Sequence, residues 1–176
     1  MPKGVYRLPN ITNEPIKSYA PGSPERKALK EKLAEVKNTV VDLPMIIDGK
    51  EIRTGKLMDI RPPHEHKHLL GHYHQGDASH IQMAIQAAMK AKPAWEKMNW
   101  ESRAAIFLKA AELIAGPYRQ LMNAVTMLGQ SKNAFQAEID CVCELADFYR
   151  FNVKNMYEIC NRILQPEYGI AMYGGR

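Results

Sequence analysis

The sequence contains no apolar run that approaches the ~18 residues a membrane-spanning helix needs. Cysteine is scarce: three residues, Cys141, Cys143 and Cys160, all close together. An odd count without a secretory leader argues for reduced thiols and against a disulfide framework. The opening stretch MPKGVYRLPNITNEPIKSYAPGSPERKALKEKL has no apolar leader core. Its acidic residues and prolines also argue against an amphipathic import sequence, so a cytoplasmic protein is expected. There is no G-x-G-x-x-G after a strand and no Walker loop, so no phosphate cradle is legible. No Ser/His/Asp set stands out by spacing. Read as chemistry alone, the chain declares no catalytic, cofactor-binding or metal residue and does not announce an enzyme.

Charge of one sign is not concentrated either. The formal charge is +5, from 24 basic and 19 acidic residues. The basic residues are scattered among acidic neighbours, with no stripe interleaved with aromatics, and no nucleic-acid partner is expected.

What is present reads in three parts. Residues 1–23 are rich in Pro, Asn, Gly and Ser without a period, an extended N-terminal arm. Residues 24–76 hold a helix followed by a hairpin and short strands. Ser23 is a good N-cap, Pro24 suits the first helical position, and Leu29, Leu33 and Val36 form one apolar stripe. Asp48-Gly49, flanked by Met45-Ile46-Ile47 and Glu51-Ile52-Arg53, is a strong hairpin signal. KLMDIRPP and KHLLGHYHQGD read as further strands. Residues 77–176 turn helical: Asp77 or Ser79 caps a helix with Ile81, Ile85, Ala88 and Met89 inward, and Pro93 should break or kink it. A second helix follows with Ala104, Phe107, Leu108, Ala111 and Ile114 as its stripe. A third is closed by Gly129, and a fourth runs from Asn133 to Leu164. The tail is turn-like, with a short strand at Ile170–Met172.

Five of the six histidines lie in HEHKHLLGHYH. On a strand, His64, His66 and His68 would share one face, a spacing a transition metal could use. No carboxylate or thiol completes the set, and a solvated polar face is the plainer reading. Cys141 and Cys143 point roughly 200° apart on a helix and could not share a metal. All three thiols sit among apolar residues and read as buried and inert.

The long helix carries the informative carboxylates. At roughly 100° per residue, Asp140, Asp147, Lys154 and Glu158 fall on one side as a wet face. A broad apolar arc from Phe135 to Leu164 opposes them, which suits a helix packed inside a larger body. Glu138 falls in the middle of that arc and needs a partner, as in a hydrogen-bonded capping or packing role. Glu144 falls on the border beside Phe148 and Phe151, where periodicity does not decide its role.

Four blocks then occur in order: TNEPIKSYAPGSPERKAL, RPPHEHKHLLGHYHQGD, RAAIFLKAAELIAGPYR and GQSKNAFQAEIDCVCELADFYRFN. Together, from about Thr12 to about Gln165, they resemble the N-terminal region of the L-glutamate γ-semialdehyde (Δ1-pyrroline-5-carboxylate) dehydrogenases. These are NAD-dependent aldehyde dehydrogenases of proline breakdown. The resemblance implies an α/β aldehyde dehydrogenase fold, of which this stretch is the mostly helical part with a small antiparallel β portion. Residues 77–176 would lead into a cofactor-binding domain that is largely absent. It implies NAD for the full-length enzyme, with none expected on this chain alone, and a homo-oligomer. By alignment it places on Glu144 the carboxylate that lines the substrate end of the active site, in contact with or gating the charged amino-acid substrate. The PHEHKH segment is similar to a structural stretch of the family. The family's nucleophilic cysteine, in a GQKCSA-like block, and its general-base glutamate lie downstream and have no match here. The chain alone is therefore expected to be inactive and to need the missing C-terminal part as partner. The competing reading is a stand-alone helical interaction module, with a histidine-strand metal carrier third.

Overall fold

A computed structural model describes residues 10–163. Residues 1–9, the tail after Ile163 and the expected strand at Ile170–Met172 lie outside them. The arm, residues 10–23, has no regular structure and ends in a turn where the Ser23 N–H donates to the Ala20 carbonyl. Ser23 then caps α1 (Pro24–Lys37), its hydroxyl accepting from the Arg26 amide, as the Ser-Pro pair predicts. Leu29 is the buried residue of α1, with Leu33 and Val36 packed around the same cluster.

The β portion follows. β2 (Met45–Ile47) and β3 (Lys50–Ile52) are antiparallel about Asp48-Gly49, both of which take positive φ, as a tight hairpin turn demands. β4 (Leu57–Ile60) pairs antiparallel with β5 (Gly71–His74), and β1 (Val41–Leu43) pairs parallel with the other side of β5. The sheet order is β1-β5-β4. β1 and its parallel pairing are absent from the sequence reading, because three residues are too few to show a period. Gly71 lies under Val41: a Cβ there would come within 2.4 Å of the Val41 carbonyl oxygen and 2.5 Å of its Cγ2.

The helices are α2 (Ala78–Lys97), α3 (Trp100–Ala115), α4 (Arg119–Gln130), the single turn α5 (Ala134–Ala137) and α6 (Glu144–Ile163). α2 starts at Asp77, whose carboxylate accepts from the Ser79 and His80 amides. It passes Pro93 without a break, so of the expected break or kink the break does not occur. Its expected inward stripe is not inward: Ile81, Ile85 and Met89 are 62%, 50% and 59% exposed, and no residue of α2 is buried. α4 runs one residue past Gly129 and closes on Ser131 in the left-handed region.

α1 packs along α4, and α3 along α6. The first contact encloses a core of Tyr19, Leu29 and Ala124. The second is a narrow seam of small residues, Ala104 and Ala111 on α3, Ala146 and Val153 on α6, each pair seven residues apart as a helix–helix seam requires. The Phe107–Tyr149 and Trp100–Tyr157 ring pairs flank it, at 5.7 Å and 5.9 Å. Phe107 is exposed, whereas Leu108 and Ile114 of the expected stripe are half-buried.

Among the described residues no helix is long and apolar enough to cross a membrane. The fourth helix of the sequence reading is not one α-helix. Residues Glu138–Cys143 form a π turn, in which the Glu144 N–H bonds the Ile139 carbonyl five residues back. The wider turn lets consecutive pairs, Ala137-Glu138 and Val142-Cys143, all face inward.

Gly71→Ala is expected to lower the unfolding free energy by about 1–3 kcal/mol through overpacking against β1. Gly129→Ala, where nothing lies within 4 Å of the added carbon, is expected to be neutral or to stabilise by up to ~1 kcal/mol through helix propensity. Urea unfolding of the two variants separates these outcomes.

Candidate functional site

The described carboxylates divide sharply by environment where the arm meets the π turn. Glu138 is 0% exposed and Arg119, at the start of α4, is 2% exposed. The guanidinium grips Glu138 through Nε (3.1 Å) and Nη2. Its Nη2 also donates to the Pro15 carbonyl at 2.8 Å and its Nη1 to Glu14 at 2.6 Å. Glu138 further accepts from the Lys17 amide (2.9 Å), the Tyr19 hydroxyl (2.7 Å) and Asn123 Nδ2 (2.8 Å). A buried carboxylate is tolerated when it is paired and its lone pairs are filled, and Glu138 meets both conditions. The hydrogen-bonded packing role expected for Glu138 is thus observed, but its main partner, Arg119, was not singled out by sequence. On a wheel Arg119 is one more charge at a helix start, and only the fold shows it buried.

The charges shift accordingly. Burial alone would raise the Glu138 carboxyl, but the Arg119 guanidinium, the Lys17 amide, Asn123 and Tyr19 outweigh it and hold it below the ordinary value of 4.5. Glu14 shows the same balance, burial opposed by Arg150 and Arg119, and ends below its ordinary value. Burial, then the neighbouring Glu138 carboxylate, push the Tyr19 phenol up to about 12 and the Cys143 thiol up to about 11.

Tyr19 holds the arm here with φ at +51°, a conformation a bulky residue seldom adopts. Before it, Asn13 Nδ2 and the Glu14 amide donate to Asp147 at 2.8 Å and 2.7 Å. Glu14 spans two helices, bonding Arg119 of α4 and Arg150 of α6 (2.7 Å).

Beside this network lies an open concavity of about 490 Å³. Asn13, Glu14 and Ile16 of the arm form one wall; Ile139, Cys143, Glu144, Phe148 and Phe151 form the other. Asp147 and Glu14 are satisfied there by the bonds above. Glu144 is exposed, and among the described residues no hydrogen bond or ion pair engages its carboxylate. A free carboxylate between isoleucine and phenylalanine side chains suits a ligand with a cationic group and an apolar stem. Phe148 and Phe135 of the predicted apolar arc are exposed, whereas Val142, Ala146 and Val153 are enclosed.

The histidines do not converge. Residues 61–70 form a loop and not a strand, so His64, His66 and His68 share no strand face. His64 Nδ1 lies 2.8 Å from Ser131 Oγ, and His68 Nε2 lies 2.7 Å from the Lys37 carbonyl. His74 Nδ1 accepts from the Gly55 amide (3.1 Å), which leaves Nε2 protonated toward Asp42 (3.0 Å). Among the described residues no group of three or more His, Cys, Asp or Glu could hold a metal ion. The thiols are free; Cys143 is buried, and Cys141 and Cys160 are half-buried.

The described residues offer a dinucleotide no open phosphate cradle at a strand-to-helix turn. Among the described residues β5–α2 is the one direct passage from strand to helix, through Gln75, Gly76 and Asp77. The Asp77 carboxylate already occupies that helix N-terminus and would repel a phosphate.

Comparison with known proteins bears on this geometry. Residues 51–172 match the aldehyde dehydrogenase family. The chain is 47% identical over 156 residues to the delta-1-pyrroline-5-carboxylate dehydrogenase of Agaricus bisporus, covering 88% of this chain and 29% of that one. It is 43% identical over 152 residues to the mitochondrial delta-1-pyrroline-5-carboxylate dehydrogenase of Dictyostelium discoideum, covering 86% and 27%. The crystal structure of the delta-pyrroline-5-carboxylate dehydrogenase from Mycobacterium tuberculosis bound with NAD aligns with a TM-score of 0.85 at 44% identity, covering 89% and 29%. The chain therefore spans less than a third of the length of these relatives. The cytoplasmic placement expected from the sequence is corrected here, since the Dictyostelium relative is mitochondrial. That expectation rested on the composition of the first residues, and nothing in the packing of residues 10–163 records a compartment.

Truncating Arg119 would strand a buried Glu138 carboxylate, so Arg119→Ala is expected to cost about 3–5 kcal/mol in denaturant unfolding. Both glutamates are depressed when folded, so their contribution is fully present above about pH 4.5 and is lost as pH falls through the lower folded values. Glu138→Gln is expected to lower stability near neutral pH and to flatten its fall on acidification. An unchanged acid limb in a urea–pH series would contradict this.

Proposed function

The chain belongs to the aldehyde dehydrogenase family, and we propose that it forms part of an NAD-dependent enzyme oxidising L-glutamate γ-semialdehyde, the open form of Δ1-pyrroline-5-carboxylate, to L-glutamate in proline breakdown. Support comes from the relatives above, which carry that enzyme name at 43–47% identity over nearly all of this chain. The observation that carries the site is the unpaired Glu144 carboxylate in its aromatic concavity. The substrate brings an ammonium and a short apolar stem to such a place, and Glu144 would hold and orient the ammonium end.

NAD supplies the hydride acceptor in this chemistry. The described residues offer it no open phosphate cradle, and no cofactor contact and no step through it is assigned to them. Nor is a nucleophile assigned: the Cys143 thiol is buried and pushed up to about 11, the reverse of an activated thiolate. This chain's own contribution is a substrate-facing carboxylate and the scaffold that holds it. The exposed Ile81, Ile85 and Met89 of α2 form an apolar stripe of the sort that further protein covers. We read its cover as the remaining length of the enzyme.

The test is a chimera in which this chain replaces the matching stretch of the Agaricus bisporus enzyme. It is expected to reduce NAD with L-glutamate γ-semialdehyde. Glu144→Ala in the chimera is expected to raise KM about tenfold with a smaller change in kcat. A folded chimera without this activity, or an unchanged KM, would overturn the respective part of the reading.

A further inference from the structure

The arm is held in an unusual way. Residues 12, 13, 15–18 and 20 are exposed, and the stretch forms no helix or strand. Before Tyr19 it buries little apolar surface, so hydrophobic packing does not fix its path. Its position is set by directed polar bonds, and Glu14 makes the widest span: one carboxylate oxygen to Arg119 at 2.6 Å, the other to Arg150 at 2.7 Å. The side chain of Glu14 is 13% exposed and that of Arg150 24%, so these bonds are shielded from water and stronger than surface pairs. The same residues, Asn13 to Ile16, are one wall of the concavity whose other wall carries Glu144.

We propose that the arm is a latched wall of the Glu144 concavity, and that Glu14, bridging Arg119 and Arg150, is the positioning residue that keeps it closed. The proposal rests on the reading of that concavity as the substrate end only for its consequence: the wall then sets the width offered to the ligand. Both carboxylate oxygens of Glu14 are engaged by its two arginines, so its part in the wall is to hold position. Arg119 is a poor place to probe the latch, because it also holds Glu138. Arg150 is the better partner to probe: besides Glu14 it lies 3.9 Å from Asp147, one turn back on its own helix.

The 176-residue chain reports the latch directly. Lys17 is exposed on the arm, but trypsin needs the segment to leave the helices before it cuts there. Glu14→Gln is expected to speed the cut after Lys17 about tenfold, with the cut after Lys109 of α3 unchanged, as local opening requires. Arg150→Gln is expected to speed the same cut by less, because the Glu14–Arg119 bond remains, and the double variant to fall short of the product of the two effects, because they share the Glu14–Arg150 bond. Should Glu14→Gln not fold, Arg150→Gln carries the same comparison. Unchanged cutting after Lys17, multiplicative effects of the two variants, or equal acceleration at Lys109 would each overturn the latch. Glu144→Ala is expected to leave all these rates as they are. Loss of the Glu144 effect on KM in the chimera would remove the substrate reading and leave the latch standing; failure of the protease result would do the reverse.

Discussion

The Arg119–Glu138 pair is the constraint on which the described structure turns. Two full charges out of water are costly, and their attraction offsets that cost only with filled lone pairs and fixed geometry. Here the filling comes from three different places: the arm through Glu14, Pro15, Lys17 and Tyr19, α4 through Asn123, and the end of α3 through the Ala115 carbonyl. None of these segments satisfies its polar atoms without the others. An extended arm with little apolar surface is thereby given one path, which hydrophobic burial would not specify. The strained backbone of Tyr19 is sustained by this over-determination.

The same network explains how two carboxylates six residues apart come to differ so fully. Glu138 and Glu144 bracket the π turn, one inside an ion pair and the other on the rim of a cavity. Their surroundings differ and not their residue type: both oxygens of the first are engaged, and among the described residues neither oxygen of the second is. The thiols follow the same rule. Cys143 lies against Glu138 and Arg119 and is held protonated, so its closeness to Glu144 gives it no nucleophilic part.

Local signals in the sequence were read where one residue decides its own neighbourhood. Ser23-Pro24, Asp48-Gly49 and Asp77 each act through their own backbone, and each stands where it was expected. Signals that depend on distant partners were not. The apolar stripe of α2 has the right period for an inward face, yet period says only that a face exists, not that this chain covers it. A wheel with a constant step could not anticipate the π turn. Pro93 is compatible with a continuous helix once its missing bond is accommodated, which its sequence neighbours do not reveal. Glu144 was placed by likeness to a family, since its own periodicity left it on a border, and the geometry around it now supplies an independent reason to consider it. Glu14 carried no signal at all: its importance is a matter of which two arginines, 105 and 136 positions away, fold up beside it.

The small mixed sheet has a further consequence. β5 is bonded on both sides, but β1 and β4 each show an outer row of backbone donors and acceptors, and Val41, Leu43, Leu57 and Met58 stand exposed along them. Such borders are templates for strand addition. At three and four residues, with Asp42 and Asp59 in their midst, these borders are short and charged, two devices that keep a bare edge from recruiting another copy.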